Sequence, residues 1–310
     1  MKLRCKSCRH EFLSDELADF DGHCPSCGAA MAGDFSGGCI DEFQVLAELG
    51  RGNNGVVFLA RQYGVNREVA LKIMLEDSLK EADGVAKFFS EARAVAKLNH
   101  PNIVQAIAAG KMESGNFYFA MELVEGPSVE NLLDASGALP FTEALAIGEA
   151  IAQAMAYGWD KRGLIHGDIK PGNIILQHGK TPKLADLGLA QFHKVVPGDI
   201  IATPLYAPPE VIRGDFAHMS FYSDIYSFGA TLYEMFSGDP PFPGNDIDLV
   251  LKMQLEQTPE SLVAKLGLFQ PELSEFIDRM LAKDPSGRPG SWDEVADFLS
   301  AMYEKHKSSH

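Results

Sequence analysis

The chain has 310 residues, 46% of them hydrophobic, and its 43 acidic against 27 basic residues give a formal net charge of −16 at pH 7. This length and apolar content suffice to bury a full hydrophobic core, whereas the acidity argues against nucleic acids or anionic membranes as main partners. Because no apolar run is long enough to span a bilayer, we expect a soluble chain located in the cytoplasm.

The N-terminal segment carries four cysteines in two Cys-x2-Cys pairs, Cys5 with Cys8 and Cys24 with Cys27. Each pair can present two thiolates to one metal ion, and two pairs complete a tetrahedral site. The segment resembles a zinc ribbon and predicts a structural Zn²⁺, with two disulfides or four free thiols as alternatives. Disulfides are the weaker alternative, since no signal peptide is visible before the first pair.

A closed site with four cysteine ligands leaves no coordination position for catalysis. Residues 1–38 are therefore predicted to form a zinc ribbon and linker that serve docking, dimerisation or regulation. Cys39 falls outside the spacing of the two pairs and is expected to be an ordinary small residue.

A glycine-rich stretch, Gly50–Val57, follows the pattern G-x-G-x-x-G-x-V. Its glycines allow the backbone to lie close over phosphate groups. Dinucleotide-binding folds use a similar pattern, but there the third glycine opens a helix. Here the residues after Gly55 are Val-Val-Phe-Leu, which favour a strand. The pattern therefore predicts a glycine-rich β-hairpin that covers phosphates.

Lys72 ends a short apolar strand, Val69–Lys72, and Glu91 follows within Val85–Leu98, whose apolar residues have helical spacing. A lysine that holds phosphates needs a carboxylate to orient it, and Glu91 is its predicted partner. Taken singly, both could be ordinary surface charges. Their order relative to the other motifs favours the pair.

The stretch Leu164–Asn173 places a carboxylate, a lysine and an asparagine in one short loop, and Asp186 follows thirteen residues later. This set suits phosphoryl transfer from a nucleotide to a hydroxyl. Asp168 is predicted to accept the proton of the hydroxyl and Lys170 to offset charge on the moving group. Asn173 and Asp186 are predicted to bind Mg²⁺ or Mn²⁺.

Together these motifs resemble those of a eukaryotic-type (bacterial-like) serine/threonine protein kinase over roughly residues 43–303. The resemblance implies an α+β, two-lobed protein-kinase fold that binds ATP between its lobes. It assigns residues 39–125 to a β-rich small lobe that includes the hinge, and residues 126–310 to a mainly helical large lobe. The predicted zinc ribbon precedes both.

The same resemblance implies the nucleotide contacts. Met121 is similar to the gatekeeper, and the backbone of Glu122 and Val124 to the hinge that bonds adenine. The full predicted set is Leu49, Gly50, Arg51, Gly52, Asn53, Asn54, Gly55, Val56, Val57, Ala70, Lys72, Met121, Glu122, Val124, Ser128 and Ile175.

Three further residues match the large lobe of this family. Asp224 resembles the helix aspartate that braces the catalytic loop, which here is the stretch Leu164–Asn173. Arg288 resembles the arginine that pairs with a glutamate at the end of the activation segment, here Glu210. The segment Thr203–Glu210 is similar to the platform on which these kinases bind peptides.

The loop departs from the family at Gly167, where many members have an arginine that binds a phosphate on the activation segment. Gly167 cannot make such a charge-assisted contact. Between Asp186 and Glu210 the only serine or threonine is Thr203, whose place is not that of the usual phosphorylation site. We therefore predict activity without activation-loop phosphorylation.

The preferred hypothesis is an active kinase that phosphorylates serine or threonine of a protein substrate, using ATP and a divalent metal. A pseudokinase that binds nucleotide without transfer is one alternative, and a small-molecule kinase on the same fold is a second. A third makes the zinc ribbon the main functional part. Nucleic acids and membranes are not expected partners of this chain.

Overall fold

The computed structural model describes most of the chain outside its N-terminal segment. The described residues are 2–4, 11–13, 26, 39–52, 55–74, 84–112, 116–186, 204–215, 219–267 and 269–307. Cys5, Cys8, Cys24 and Cys27 lie outside them, as does Thr203. The chain divides into two units, one of Met1–Lys97 with Gln105–Leu123 and one of Leu98–Val104 with Val124–His310.

The first unit is built mainly of strands. A two-stranded hairpin, β1 (Lys2–Arg4) and β2 (Glu11–Leu13), comes first. An antiparallel sheet of order β3-β4-β5-β6-β8-β7 follows. Its strands are β3 (Cys39–Ile40), β4 (Phe43–Gly52), β5 (Gly55–Gln62), β6 (Arg67–Met74), β7 (Ala106–Lys111) and β8 (Phe117–Glu122).

The glycine-rich hairpin predicted from the sequence is confirmed, since β4 and β5 pair up to Gly52 and Gly55. Gly55 has a φ of +128°, which side chains other than glycine rarely adopt. A Cβ there would also lie 2.0 Å from the carbonyl oxygen of Ile73 in β6. Both the turn and the close approach of the neighbouring strand therefore require glycine. Asn53 and Asn54, at the tip, lie outside the described residues.

The predicted helix after β6 is also present, as α1 (Gly84–Val95). On β6, Val69 and Leu71 are fully buried, while Ala70 and Lys72 on the opposite face are nearly so. Successive side chains of a strand point to opposite faces, so both faces of β6 are covered. This is the environment of a central strand, and it explains the apolar run before Lys72.

The second unit is mainly helical. A hairpin of β9 (Ile174–Gln177) and β10 (Thr181–Leu184) accompanies the helices. The helices are α2 (Val129–Ser136), α3 (Phe141–Arg162), α4 (Pro209–Ile212), α5 (Phe221–Ser237), α6 (Ile247–Glu256), α7 (Leu262–Leu266), α8 (Pro271–Met280) and α9 (Trp292–His306). Within the described ranges, no helix is long and apolar enough to cross a bilayer.

Helix α5 is the buried centre of this unit, with every residue from Ser223 to Tyr233 buried. It begins at a capping box in which the Ser220 hydroxyl accepts a hydrogen bond, and it ends at Gly238 in the left-handed conformation. Both ends are thus fixed by local chemistry. A helix that is buried on all sides can support several loops at once.

The short segment 98–104 packs with the second unit although its neighbours in sequence belong to the first. Its backbone pairs with β10, where Val104 N–H donates to the Leu184 carbonyl at 3.0 Å. The Asn102 amide donates to the Pro182 carbonyl at 2.7 Å. These bonds anchor the segment to the strand that leads to Asp186.

Candidate active site

Three of the predicted catalytic residues meet at one carboxylate oxygen. Lys170 Nζ lies 2.7 Å from Asp168 Oδ2, and Asn173 Nδ2 donates to the same oxygen at 3.0 Å. Asn173 Nδ2 also donates to the Asp168 backbone carbonyl at 2.7 Å. A short 3₁₀ turn, Pro171–Asn173, brings the asparagine back over the aspartate. The structure therefore brings together the proposed base, the cation and one of the two proposed metal ligands.

His166 links this loop to the end of β10. Its Nδ1 accepts a hydrogen bond from Asp168 N–H at 3.2 Å, and its Nε2 lies 2.9 Å from the Ala185 carbonyl. Because a carbonyl can only accept, Nε2 carries the proton and the ring is neutral. Burial lowers the pKa of His166, which favours this neutral form. His166 thus acts as a rigid spacer between Asp168 and Ala185.

Asp186, the second proposed metal ligand, follows Ala185 directly. Ala185 N–H donates to the Asn173 carbonyl at 2.8 Å, so the backbones of the two proposed ligands are tied together. Asp186 has a φ of +60°, which is uncommon for a residue other than glycine. Strained backbone of this kind is concentrated at functional sites.

A buried aspartate on α5 holds the start of the loop. Asp224 Oδ2 accepts the His166 N–H at 2.6 Å, and Asp224 Oδ1 accepts the Gly167 N–H at 2.7 Å. The prediction that Asp224 braces the catalytic loop is confirmed. Burial raises the pKa of this carboxyl to about 7, although both backbone bonds favour its charged form.

The predicted pair between Glu210 and Arg288 is confirmed. The two side chains form a bidentate contact, with Arg288 Nη1 2.7 Å from Glu210 Oε1 and Arg288 Nη2 2.9 Å from Oε2. Ser223, in the first turn of α5, donates to Glu210 Oε1 at 2.8 Å. Burial alone would raise the pKa of Glu210, but its bonds to Arg288 outweigh burial and lower it.

The turn Pro204–Tyr206 is also attached to α5. Ser227 Oγ donates to the Tyr206 carbonyl at 2.9 Å, and the Tyr206 hydroxyl donates to Glu234 Oε2 at 2.5 Å. Asp224, Ser227 and Glu234 are spaced so that they lie along one side of the helix. The catalytic loop and this turn are thus held by a single stripe of one buried helix.

The sequence model of the protein kinase domain family matches residues 43–301 of the chain. The chain belongs to the protein kinase family. It is 34% identical over 280 residues to serine/threonine-protein kinase pkn2 of Myxococcus xanthus, covering 84% of this chain and 32% of that protein. It is 31% identical to serine/threonine-protein kinase PrkC of Bacillus subtilis, covering 84% of this chain and 39% of PrkC.

Solved structures agree with the family. The PknI kinase domain of Mycobacterium tuberculosis superposes with a TM-score of 0.69 at 28% identity, covering 87% of this chain and 98% of that domain. The expected kinase fold, with a β-sheet lobe and a helical lobe, is therefore confirmed. So is the prediction of a protein serine/threonine kinase, at the level of the family. The chain spans about a third of the length of pkn2 and about two fifths of the length of PrkC.

Within the β-rich unit of this kinase, Lys72 lies in the middle of the sheet. It is paired with Val57 of β5 on one side and with Phe119 of β8 on the other, and only 4% of its surface is exposed. Ala70 and Met121 are directly paired and also buried. Glu91 lies in α1, as predicted, but its side chain falls outside the described part of the chain.

The remaining predicted nucleotide contacts fall in two places. Glu122 accepts the Gln105 N–H at 2.8 Å through its carboxylate, which fixes the end of β8. Ser128 and Ile175 face each other in an isolated β-bridge of the helical unit. The Ser128 hydroxyl accepts the Asn131 N–H at 3.1 Å and thereby caps α2. Its side chain therefore has a structural task of its own.

Sequence reasoning missed most of the polar residues that fix the loops. One signal could have revealed them, since four polar residues of the largely apolar α5 recur every three or four positions. These residues are Asp224, Ser227, Thr231 and Glu234. A polar stripe on a helix that is otherwise apolar indicates buried hydrogen-bond partners, because a buried polar group needs one.

Proposed function

We propose that this kinase transfers the γ-phosphoryl group of ATP to serine or threonine hydroxyls of protein substrates, with the cytoplasm as its expected location. The observation that carries the proposal is the convergence of Lys170 Nζ and Asn173 Nδ2 on Asp168 Oδ2, at 2.7 Å and 3.0 Å. Asp168 is thereby held in one orientation beside a cation. Phosphoryl transfer depends mainly on such positioning and on charge neutralisation.

Each side chain then has a separate task. Asp168 orients the acceptor hydroxyl and accepts its proton, and Lys170 offsets negative charge on the transferred group. Lys72, oriented by Glu91, is proposed to bind the nucleotide phosphates beneath the glycine-rich hairpin. When bound, ATP supplies the phosphoryl group and the divalent metal neutralises its charge.

The donor atoms fit a hard divalent cation such as Mg²⁺ or Mn²⁺. Asn173 uses Nδ2 for both of its bonds to Asp168, so its amide oxygen takes part in neither. The carboxylate of Asp186 provides the second oxygen ligand. Oxygen atoms of this kind are the ligands that Mg²⁺ prefers, usually with few protein side chains. Asn173 and Asp186 are therefore the proposed metal ligands.

The test is transfer of label from γ-labelled ATP, with Mg²⁺ or Mn²⁺, to the chain itself and to myelin basic protein. We expect label on serine or threonine, and a rate lower by about 10²–10⁴-fold in Asp168→Asn. Nucleotide affinity is measured in parallel. Binding of ATP without transfer by the unmodified chain would favour the pseudokinase, or an acceptor that is a small molecule.

We further propose that activity does not require a phosphate on the activation segment. Gly167 offers no side chain that could bind such a phosphate, and its N–H is instead bound to Asp224. The check is the activity of kinase treated with phosphatase, together with mass spectrometric mapping. Loss of activity on dephosphorylation of Thr203 or Tyr206 would contradict this proposal.

For the N-terminal segment we propose a Cys₄ zinc ribbon that docks or dimerises. The pairing of β1 with β2 supports it, because Cys5 and Cys8 fall in the connection between these two strands. We expect one zinc per chain by elemental analysis, and its loss in the double variant Cys5→Ser/Cys8→Ser. Cys39→Ser is the matched control and should retain the metal. Equal zinc contents in the two variants would refute the assignment.

A further inference from the structure

Gln254 is a fully buried amide on α6 that contacts the turn Pro204–Tyr206. Its Nε2 donates to the carbonyl of Leu205 at 2.7 Å and to the carbonyl of Pro204 at 3.2 Å. Its Oε1 accepts the hydroxyl of Tyr226 at 2.5 Å. Both halves of the amide are thus used, and two successive backbone carbonyls depend on one side chain.

The direction of these bonds is fixed from the other side by a lysine. Lys283 Nζ donates to Tyr226 Oη at 2.9 Å, so the tyrosine hydroxyl must direct its own proton towards Gln254 Oε1. That in turn leaves Nε2 to face the carbonyls. Lys283 is itself held against the Phe242 ring, 4.5 Å from its centroid. In the series of hydrogen bonds from Lys283 through Tyr226 to Gln254, every donor therefore points towards the turn.

The same turn is tied to the helix that carries the catalytic loop. Ser227 of α5 binds the Tyr206 carbonyl, three residues along from Asp224, which binds His166 and Gly167. Because α5 holds both the turn and the catalytic loop, a shift of the Pro204–Tyr206 turn on α5 changes its position relative to the loop. Ser227 fixes only the last carbonyl of the turn, whereas Gln254 fixes the first two.

We propose that Gln254 is a positioning residue for the protein acceptor, acting through the turn Pro204–Tyr206. The carbonyls of Pro204 and Leu205 point inward to Gln254, while the two side chains remain partly exposed. Gln254 thus decides which surface the turn presents, and α5 fixes the turn relative to the loop that carries Asp168. The inference rests on the proposed protein-kinase function, in which the acceptor must lie next to Asp168.

Gln254→Glu is the sharpest variant, since it keeps the shape of the side chain but replaces the donor by an acceptor. Its carboxylate would face both carbonyls and repel them. Gln254→Met removes the bonds without adding charge, and Tyr226→Phe removes only the orienting hydroxyl. Gln257→Glu, at an exposed position one turn later, is the matched control for the change in charge.

Each variant is assayed with ATP and myelin basic protein for kcat and for both KM values, and without protein for hydrolysis of ATP by water. We expect kcat/KM for the protein to fall by about 10–100-fold in Gln254→Glu, less in Gln254→Met and a few-fold in Tyr226→Phe. KM for ATP and the rate of ATP hydrolysis should stay within about two-fold of the parent. Gln257→Glu should behave as the parent.

Two results would overturn the inference: an unchanged kcat/KM for the protein in Gln254→Glu, or an equal loss of ATP hydrolysis, which would mean a general structural defect. Thermal unfolding identifies a variant that does not fold, in which case Gln254→Met and Tyr226→Phe decide by the same criteria. Failure of the proposed function is separate, since the parent itself would then transfer no phosphate to protein.

Discussion

The loop Leu164–Asn173 and the segment Pro204–Glu210 are each fixed by a buried carboxylate, but in different ways. Asp224 accepts two backbone N–H groups, and among the described residues it forms no ion pair. Glu210 instead makes two bonds to the guanidinium of Arg288. The pKa of Asp224 is raised to about 7, whereas that of Glu210 is lowered.

This difference separates two functions of a buried carboxylate. Backbone donors determine the geometry of a loop but do not fully compensate the desolvation of the charge. A guanidinium compensates the charge, at the expense of burying a second ion. The loop that carries Asp168 is thus held by a carboxyl whose pKa is raised, and the segment Pro204–Glu210 by one whose pKa is lowered.

The largest effect is expected from Arg288→Met, which leaves Glu210 buried without its cation. Loss of one partner of a buried pair typically lowers the free energy of unfolding by about 3–5 kcal/mol. Urea denaturation followed by circular dichroism measures it. Arg279→Met is the control, because its pair with Glu294 is exposed and worth about 0.2–1 kcal/mol. Similar losses in both variants would contradict the role assigned to the buried pair.

Asp224→Asn is expected to have a smaller effect on stability and a clear effect on kcat. An amide can accept the N–H of His166 or of Gly167, but its NH₂ group then opposes the other. Leaving one of these buried N–H groups without its acceptor costs about 1–3 kcal/mol. Urea denaturation and phosphate transfer are measured together, with the exposed Asp248→Asn as control. A variant with full kcat would show that the bonds from Asp224 to His166 and Gly167 do not position Asp168.

The two carboxylates should also give pH dependences of opposite sign. A carboxyl with a raised pKa stabilises the fold most when protonated, so the contribution of Asp224 is present below about pH 4 and is lost as the pH rises through about 7. The contribution of Glu210 is present above its ordinary pKa of 4.5 and is lost at lower pH.

The measurement for this pair is the free energy of unfolding between pH 3.5 and 8 for the parent, Asp224→Asn and Glu210→Gln, in about 0.1 M salt. The difference between the parent and Asp224→Asn should shrink as the pH rises. The difference between the parent and Glu210→Gln should grow and then level off. Parallel curves for the two variants would remove the distinction between the carboxylates.

The smallest effect is expected from Gly167→Ala. Gly167 has a φ of +77°, and a residue with a Cβ loses about 1–2 kcal/mol in the left-handed region. Gly163→Ala is the matched control, with a φ of +59° and open space around a Cβ. Both should lose similar stability in urea denaturation, but only Gly167→Ala should lower kcat, because its neighbour is Asp168. An unchanged kcat would mean that the bond between Asp224 and the Gly167 N–H is kept when this backbone shifts.

Sequence reasoning predicted those parts of the site that short motifs carry. Asp168, Lys170 and Asn173 lie within six residues, so local backbone geometry alone brings them together. The pair Glu210–Arg288 spans 78 residues and was accessible only through the resemblance to a known family. Spacing along the chain carries no information about such a contact.

Gln254 lies beyond the reach of both kinds of argument. A glutamine on an amphipathic helix normally faces solvent, so residue type alone predicts exposure for Gln254 as it does for Gln257. Its burial is decided by where α6 packs against the Pro204–Tyr206 turn, which is a tertiary property. Likewise, the sequence showed that Gly167 stands where many kinases have an arginine, but not that its backbone is in the left-handed region.

The attachment of residues 98–104 to β10 determines how the polypeptide can be divided. The chain passes from one unit to the other three times, at residues 97–98, 104–105 and 123–124. A protease that cuts only at 123–124 leaves a fragment 1–123 that keeps Asn102 and Val104, while their partners Pro182 and Leu184 are on the other fragment. That junction is therefore suited to reassembly of the kinase from two separately made pieces, and unsuited to isolating its β-rich unit.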